Sequence, residues 1–238
     1  GQDFYAGEWL FASFESKTMA YPLVIFSITQ LLKNKIYLTM LFLGVATYCH
    51  FLVGGWVFLV VSIYLVIQRN SLKATILSLL SYVVLVLPLV IIIIGNYFQN
   101  ENVNSYPDLP SADYIYSYFR HPHHLLPFEN LFWFKQKIPF SFLALIFSVN
   151  CYWTTKNKKI KMLSLLNVVM LVLMTFCIIV SYFDSNYLFG KFYMFRLSSL
   201  SLLFTITIVL YSFFYFFKNK NVSTYFQFQL LLVSLILF

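Results

Sequence analysis

The run "ATILSLLSYVVLVLPLVIIII" at residues 74–94 sets 21 residues in a row without a single charge. Roughly 20 apolar residues are enough for a helix to cross about 30 Å of hydrocarbon. "KMLSLLNVVMLVLMTFCIIVSY" (161–182) and "RLSSLSLLFTITIVLYSFFYFF" (196–217) repeat the pattern. No water reaches a bilayer core to satisfy backbone groups, so a run of this length crosses as a helix. Composition agrees, because 10% of the 238 residues are charged and 61% are hydrophobic, too few polar groups to cover a soluble domain. The expected fold class is all-α integral membrane, a polytopic helical bundle making one membrane domain over residues 1–238. Apolar segments near 19–32, 36–49, 56–67, 74–94, 139–155, 161–182, 196–217 and 225–238 predict about eight membrane segments. The chain begins at Gly1 without a methionine and stops inside an apolar run, so both ends read as cut from a longer protein.

Most of the basic residues fall between these segments. Cations beside spans set orientation, so the net charge of +8 does not point to nucleic acid, and none is expected as a partner. Alternating the segments across a bilayer puts Lys33, Lys35, Arg69, Lys73, Lys156, Lys158, Lys159, Lys161, Lys218 and Lys220 on one side, with no acid among them. The other side receives all eight acids, the other six cations and all four histidines. The positive-inside rule makes the first side cytoplasmic. This split requires the run 36–67, too long for one ordinary span, to be two short helices turning within "HFLVGGW", where Gly54 and Gly55 suit a tight turn. The expected location is a bacterial inner membrane, with residues 95–138 forming a large periplasmic loop. Its "YIYSYF" and "LFWF" read as interfacial helices, since a disordered linker is usually poor in aromatics. Cys49, Cys151 and Cys177 lie in apolar segments, which suits buried bland thiols better than a disulfide framework or a thiolate metal site.

Four polar clusters collect on the histidine-bearing side. In "GEWLFASFESKTMAYP", Glu8 and Glu15 share a face if the segment is helical, and Lys17 lies close by. These charges either snorkel from an amphipathic lead-in helix or pair beside a substrate cleft. His50 is either a structural group or a ligand contact. Its small neighbours Gly44, Ala46, Gly54 and Gly55 permit close helix packing or close approach of a ligand. "RHPHHLLPF" gathers Arg120, His121, His123 and His124 around a proline that disfavours one regular helix. It lacks helical zinc spacing and any thiolate or close acid, so no metal is expected there. The Arg120 fork with imidazole donors suits phosphate or carboxylate, and an interfacial loop of hydrogen-bonded histidines is the alternative. Arg196, in "FDSNYLFGKFYMFR", either anchors the next span or adds a second cation to an anion site.

Taken together, "FESKTMAYPLVI", "GVATYCHFLVGGW" and "RHPHHLLPF" resemble an uncharacterised family of bacterial polytopic membrane proteins. Its patterns are F-E-G-K, A-T-x-x-H-x-x-V-G-G and R-x-P-H-H-L, and the resemblance covers roughly residues 7–130, with Ser16 where glycine is commoner. That family's layout is similar to the GT-C glycosyltransferases, which take polyprenyl-phosphate-linked sugars at the outer membrane face. The resemblance implies a polyprenyl-phosphate-linked sugar and a glycan or lipid acceptor as partners. It implies Glu15 and His124 in catalysis, with Lys17, His50, Arg120, His121, His123 and Arg196 binding substrate. GT-C enzymes carry a base or metal-ligating acid in the first outer loop, and this chain reads as starting after that loop. No cofactor is therefore expected from the present residues, and a divalent metal would need acids supplied by that earlier loop. An O-antigen-type polymerase or ligase and a lipid-linked glycan flippase or transporter are the alternatives. A transporter would place charges near the bilayer midplane, whereas here every charge is assigned to a span end or loop.

Overall fold

The computed structural model describes residues 16–68, 71–101, 114, 115, 131–184, 189, 192 and 194–218. The regular elements among them are all helical: α1 (Ser16–Leu31), α2 (Ile36–Cys49), α3 (Phe51–Ile67), α4 (Leu72–Glu101), α5 (Leu131–Thr154), α6 (Lys158–Phe183) and α7 (Leu197–Lys218), with a 3-10 turn at Met194–Arg196. Among the described residues, three stretches are long and apolar enough to cross a membrane: Leu72–Asn96, Lys158–Phe183 and Leu197–Tyr215. The chain is an α-helical, multi-pass membrane protein. Its outward surface fits lipid and not water: Ile91, Ile92, Ile93 and Ile94 are 40–61% exposed in succession around α4. The chain divides into two compact units, Leu10–Arg120 and Gly1–Trp9 with His121–Phe238.

In the first unit α1 and α2 form a hairpin. Ser27 donates through Oγ to the Thr39 carbonyl at 3.0 Å, and the Phe26 and Phe42 rings lie 5.7 Å apart. The reversal is local chemistry. Asn34 takes φ 58°, in the left-handed region that Asn tolerates better than most residues. Its N–H bonds the Leu31 carbonyl at 2.8 Å, and the Lys35 N–H bonds the Gln30 carbonyl at 2.9 Å. These two bonds are the Schellman pattern, which satisfies carbonyls that a helix end leaves open.

The turn expected at Gly54 and Gly55 lies elsewhere. One residue, His50, breaks the run, with extended backbone at φ −153° and ψ 104°. Its N–H closes α2 on the Ala46 carbonyl at 2.8 Å, and its Nδ1 opens α3 by accepting the Val53 N–H at 3.3 Å. Both glycines sit inside α3. At 14 and 17 residues, α2 and α3 are only about 21 and 26 Å long. α4 then lays Tyr82 and Leu85 on this bend. The Tyr82 hydroxyl meets Thr47 Oγ1 at 2.8 Å, its ring stacks on Phe58 at 3.7 Å, and the Tyr48 hydroxyl donates to the Leu85 carbonyl at 2.9 Å.

In the second unit α5, α6 and α7 run alternately up and down. The "LFWF" segment, expected as an interfacial helix, is helical and forms the opening turn of α5, which continues through Pro139 to Thr154. Of "YIYSYF", only Tyr114 and Ile115 are described. α6 starts at Asn157, whose Oδ1 accepts the N–H groups of Lys159 at 3.0 Å and Ile160 at 3.4 Å. Asn is a favoured N-cap because its side chain replaces the missing preceding turn. At the far end, Asp184 Oδ2 accepts the Phe189 N–H at 2.8 Å.

Candidate functional site

The hairpin register decides what the first unit can bring together. Ser27 faces Thr39 and Phe26 faces Phe42, so the first turn of α1 lies level with the end of α2. Lys17 and His50 therefore share one end of the unit, and Lys33 and Lys35 occupy the other. Both Lys17 and His50 are half-buried. Glu15 and Arg120, the remaining candidates of this unit, lie outside the described residues, as do His121, His123 and His124 in the second.

His50 has more structure than its sequence setting indicates. Because Nδ1 accepts the Val53 N–H, the neutral ring carries its proton on Nε2. Toward a ligand such a ring is a hydrogen-bond donor, suited to a phosphate or hydroxyl oxygen. The small residues around it serve packing. A Cβ on Gly54 would run into the Thr47 backbone, and one on Gly44 would meet the Leu85 side chain, while Gly55 has open space. Of the two readings open for these glycines, close helix packing accounts for Gly44 and Gly54.

Arg196 is half-buried in the 3-10 turn, directly before α7, and its Nε is shielded from solvent. It stands at the Asp184 end of the α6–α7 pair. The turn carrying Lys156, Lys158, Lys159 and Lys161 stands at the other end of α6. In each unit the candidate cations and the acid-free lysine turns thus occupy opposite ends.

The strongest polar constellation was not among the expected site residues. Asn167, fully buried midway along α6, donates through Nδ2 to Ser148 Oγ on α5 and to Thr205 Oγ1 on α7, both at 2.9 Å. Ser201 Oγ on α7 donates to Asn167 Oδ1 at 2.7 Å. One amide thereby joins three helices, with Ser148, Ser201 and Thr205 buried around it. Its signal in sequence is a lone Asn inside "LSLLNVVMLV", where an amide facing lipid would be costly. Every amide hydrogen and the carbonyl have protein partners, so the cluster is an assembly joint rather than a reactive centre. Among the described residues the buried polar side chains are Ser, Thr and Asn, with no acid, base or histidine in that set. No group of three or more His, Cys, Asp or Glu suited to a metal ion occurs among the described residues.

No protein-family model, curated protein or solved structure matches the chain.

Proposed function

We propose that the chain acts as a GT-C-like membrane glycosyltransferase that takes a polyprenyl-phosphate-linked sugar at the outer membrane face. The observation that carries this reading is the polarity of each unit. Lys17 and His50 in one unit, and Arg196 in the other, stand at the helix ends opposite the acid-free lysine turns. An enzyme that meets a lipid-linked phosphate at a membrane surface needs donors at helix ends, and each unit by itself offers them at the end away from its lysine turn. Among the described residues the buried side chains include no carboxylate, ammonium, guanidinium or imidazole group, which favours surface chemistry over transport through the bundle. The eight-segment alternation belongs to the same proposal, with the lysine turns in the cytoplasm of a bacterial inner-membrane protein and residues 95–138 in the periplasm.

The reaction is displacement at the anomeric carbon. The acceptor hydroxyl oxygen bonds that carbon as its bond to the phosphate oxygen breaks, and polyprenyl phosphate departs. Glu15 takes the hydroxyl proton. Arg120, with His121 and His123, holds the departing phosphate, and His124 supplies a proton or a hydrogen bond as negative charge grows there. His50 donates through Nε2–H to sugar or phosphate, and Lys17 and Arg196 add positive potential.

The test is alanine substitution at Arg120 and at His124 in the full-length protein. Each abolishes glycan product while the protein stays in the membrane at normal levels. Wild-type product from both variants rules out the anion site. At His50 the fold role and the binding role separate. His50→Asn restores an α3 cap but lacks the imidazole donor, so it keeps stability and loses activity, whereas His50→Ala loses both.

A further inference from the structure

We propose that the α5–α6 turn is a binding site for the headgroup of an anionic phospholipid, formed by Lys156, Lys158, Lys159 and Lys161. All four lysines are exposed, within six residues. The turn between them is ordered by its own bonds: the Asn157 N–H donates to Thr155 Oγ1 at 3.2 Å, and Asn157 Oδ1 caps α6. Lys161 is held with its Nζ 4.8 Å from the centre of the Tyr152 ring. The four charges are therefore presented together, from a defined backbone.

No carboxylate of these helices neutralises them. Residues 130–183 contain no Asp or Glu, and neither do residues 197–218. Asp184, the acid that follows α6, stands at the opposite end of that helix. The helix itself adds to the imbalance. Lys158, Lys159 and Lys161 occupy its first turn, the end where the backbone dipole disfavours cations. Orientation in the membrane requires lysines near a span, but not at the end where they are least favourable. Lys33, just past the C-terminal end of α1, has the opposite placement, and Lys35 before α2 and Lys73 in α4 stand singly at such helix starts, without the clustering found here. An anion from outside the chain relieves both the mutual repulsion and the conflict with the dipole.

The aromatics beside the turn say where that anion comes from. Trp153 is 75% exposed, with Tyr152 adjacent, at the same end of α5. Exposed Trp and Tyr settle at the headgroup level of a bilayer. The lysines thus lie at the depth of lipid phosphates, and clustered lysines next to a span attract anionic headgroups. The site is independent of the sugar-transfer reading, since it stands on the opposite end of α6 from Arg196.

The full chain in phosphatidylcholine nanodiscs, titrated with phosphatidylglycerol and read by native mass spectrometry, tests this. Lys158→Gln with Lys159→Gln leaves two lysines to hold the orientation and lowers phosphatidylglycerol retention by about five-fold per lysine removed. Adding Lys156→Gln and Lys161→Gln removes the preference over phosphatidylcholine. Lys33→Gln with Lys35→Gln, the same change of charge on another turn, leaves retention at this site unaltered. Undiminished retention in the four-lysine variant overturns the proposal. Displacement of phosphatidylglycerol by millimolar inorganic phosphate also overturns it, because the site would then recognise a free anion and not a lipid.

Discussion

At the scale of single residues, what sets this chain apart from a generic apolar bundle is a few small or polar side chains placed where helices touch. Asn167 is the clearest case. Replacing it with Ala removes three interhelical bonds and leaves buried hydroxyls to turn back on their own helices. Interhelical bonds in membranes contribute about 0.6 kcal/mol each on average, so Asn167→Ala is expected to cost about 1–2 kcal/mol in unfolding from bicelles. A double-mutant cycle with Ser201→Ala would show coupling between the two positions, and strict additivity would contradict the joint. The two glycines of α3 give a contrast at adjacent positions. Gly54→Ala drives a methyl against the Thr47 backbone and should cost about 1–3 kcal/mol, the usual range for overpacking. Gly55→Ala meets nothing and should be neutral, or stabilising by up to about 1 kcal/mol through helix propensity. Thermal stability in detergent, measured on both, checks the pair.

Elements here are ended by side chains, not by changes in hydropathy. The run 36–67 is apolar throughout, and yet it is two helices, because His50 takes an extended backbone and caps both ends it creates. Asn157 starts α6, and Asn34 ends α1 by adopting a positive φ. The Asn34 turn predicts a substitution pattern of its own. Asn34→Gly should leave stability unchanged or slightly raised, since glycine enters the left-handed region freely. Asn34→Val should lower it by about 1–2 kcal/mol, because a β-branched residue is strained there. Equal stability of the two variants in a denaturant titration would mean that the turn does not depend on Asn34. The lone helix breaker in the middle of this run is visible in sequence as a polar ring, but the glycine pair beside it does not fix where the turn falls. A Gly-Gly pair suits a turn and suits close helix packing equally well, and its neighbours in space decide which. "LFWF" is ambiguous in sequence for a related reason. Aromatics mark a membrane interface whether they belong to a separate helix or to the first turn of a span.

For the whole molecule, the ends of the helices carry the functional argument. The proposed alternation of segments predicts that positions 105 and 157 lie on opposite sides of the bilayer. With Cys49→Ser as background, Ser105→Cys and Asn157→Cys should react with a membrane-impermeant maleimide from opposite faces of oriented vesicles. Reaction of both from one face contradicts the alternation. Cys151 and Cys177 are buried in the bundle, so they stay silent in this assay.

Much of the architecture is legible in the sequence. The predicted segments 19–32, 36–49, 74–94, 161–182 and 196–217 each coincide with a helix, with α4 running on to Glu101. The reason is that burial in hydrocarbon forces every backbone group into local helical bonds, so a long apolar run specifies its own conformation. The spacing of the apolar segments likewise sets Lys17 and His50 apart from Lys33 and Lys35, as the α1–α2 register does. What only the tertiary structure decided is which residues hold the helices together. Nothing within "LSLLNVVMLV" says that Asn167 will find Ser148, Ser201 and Thr205, and nothing in "HFLVGGW" says that Gly54 will face Thr47 while Gly55 faces open space. Between apolar helices in lipid, association depends on close fit and on hydrogen bonds across helices, and those exist only once two surfaces have met.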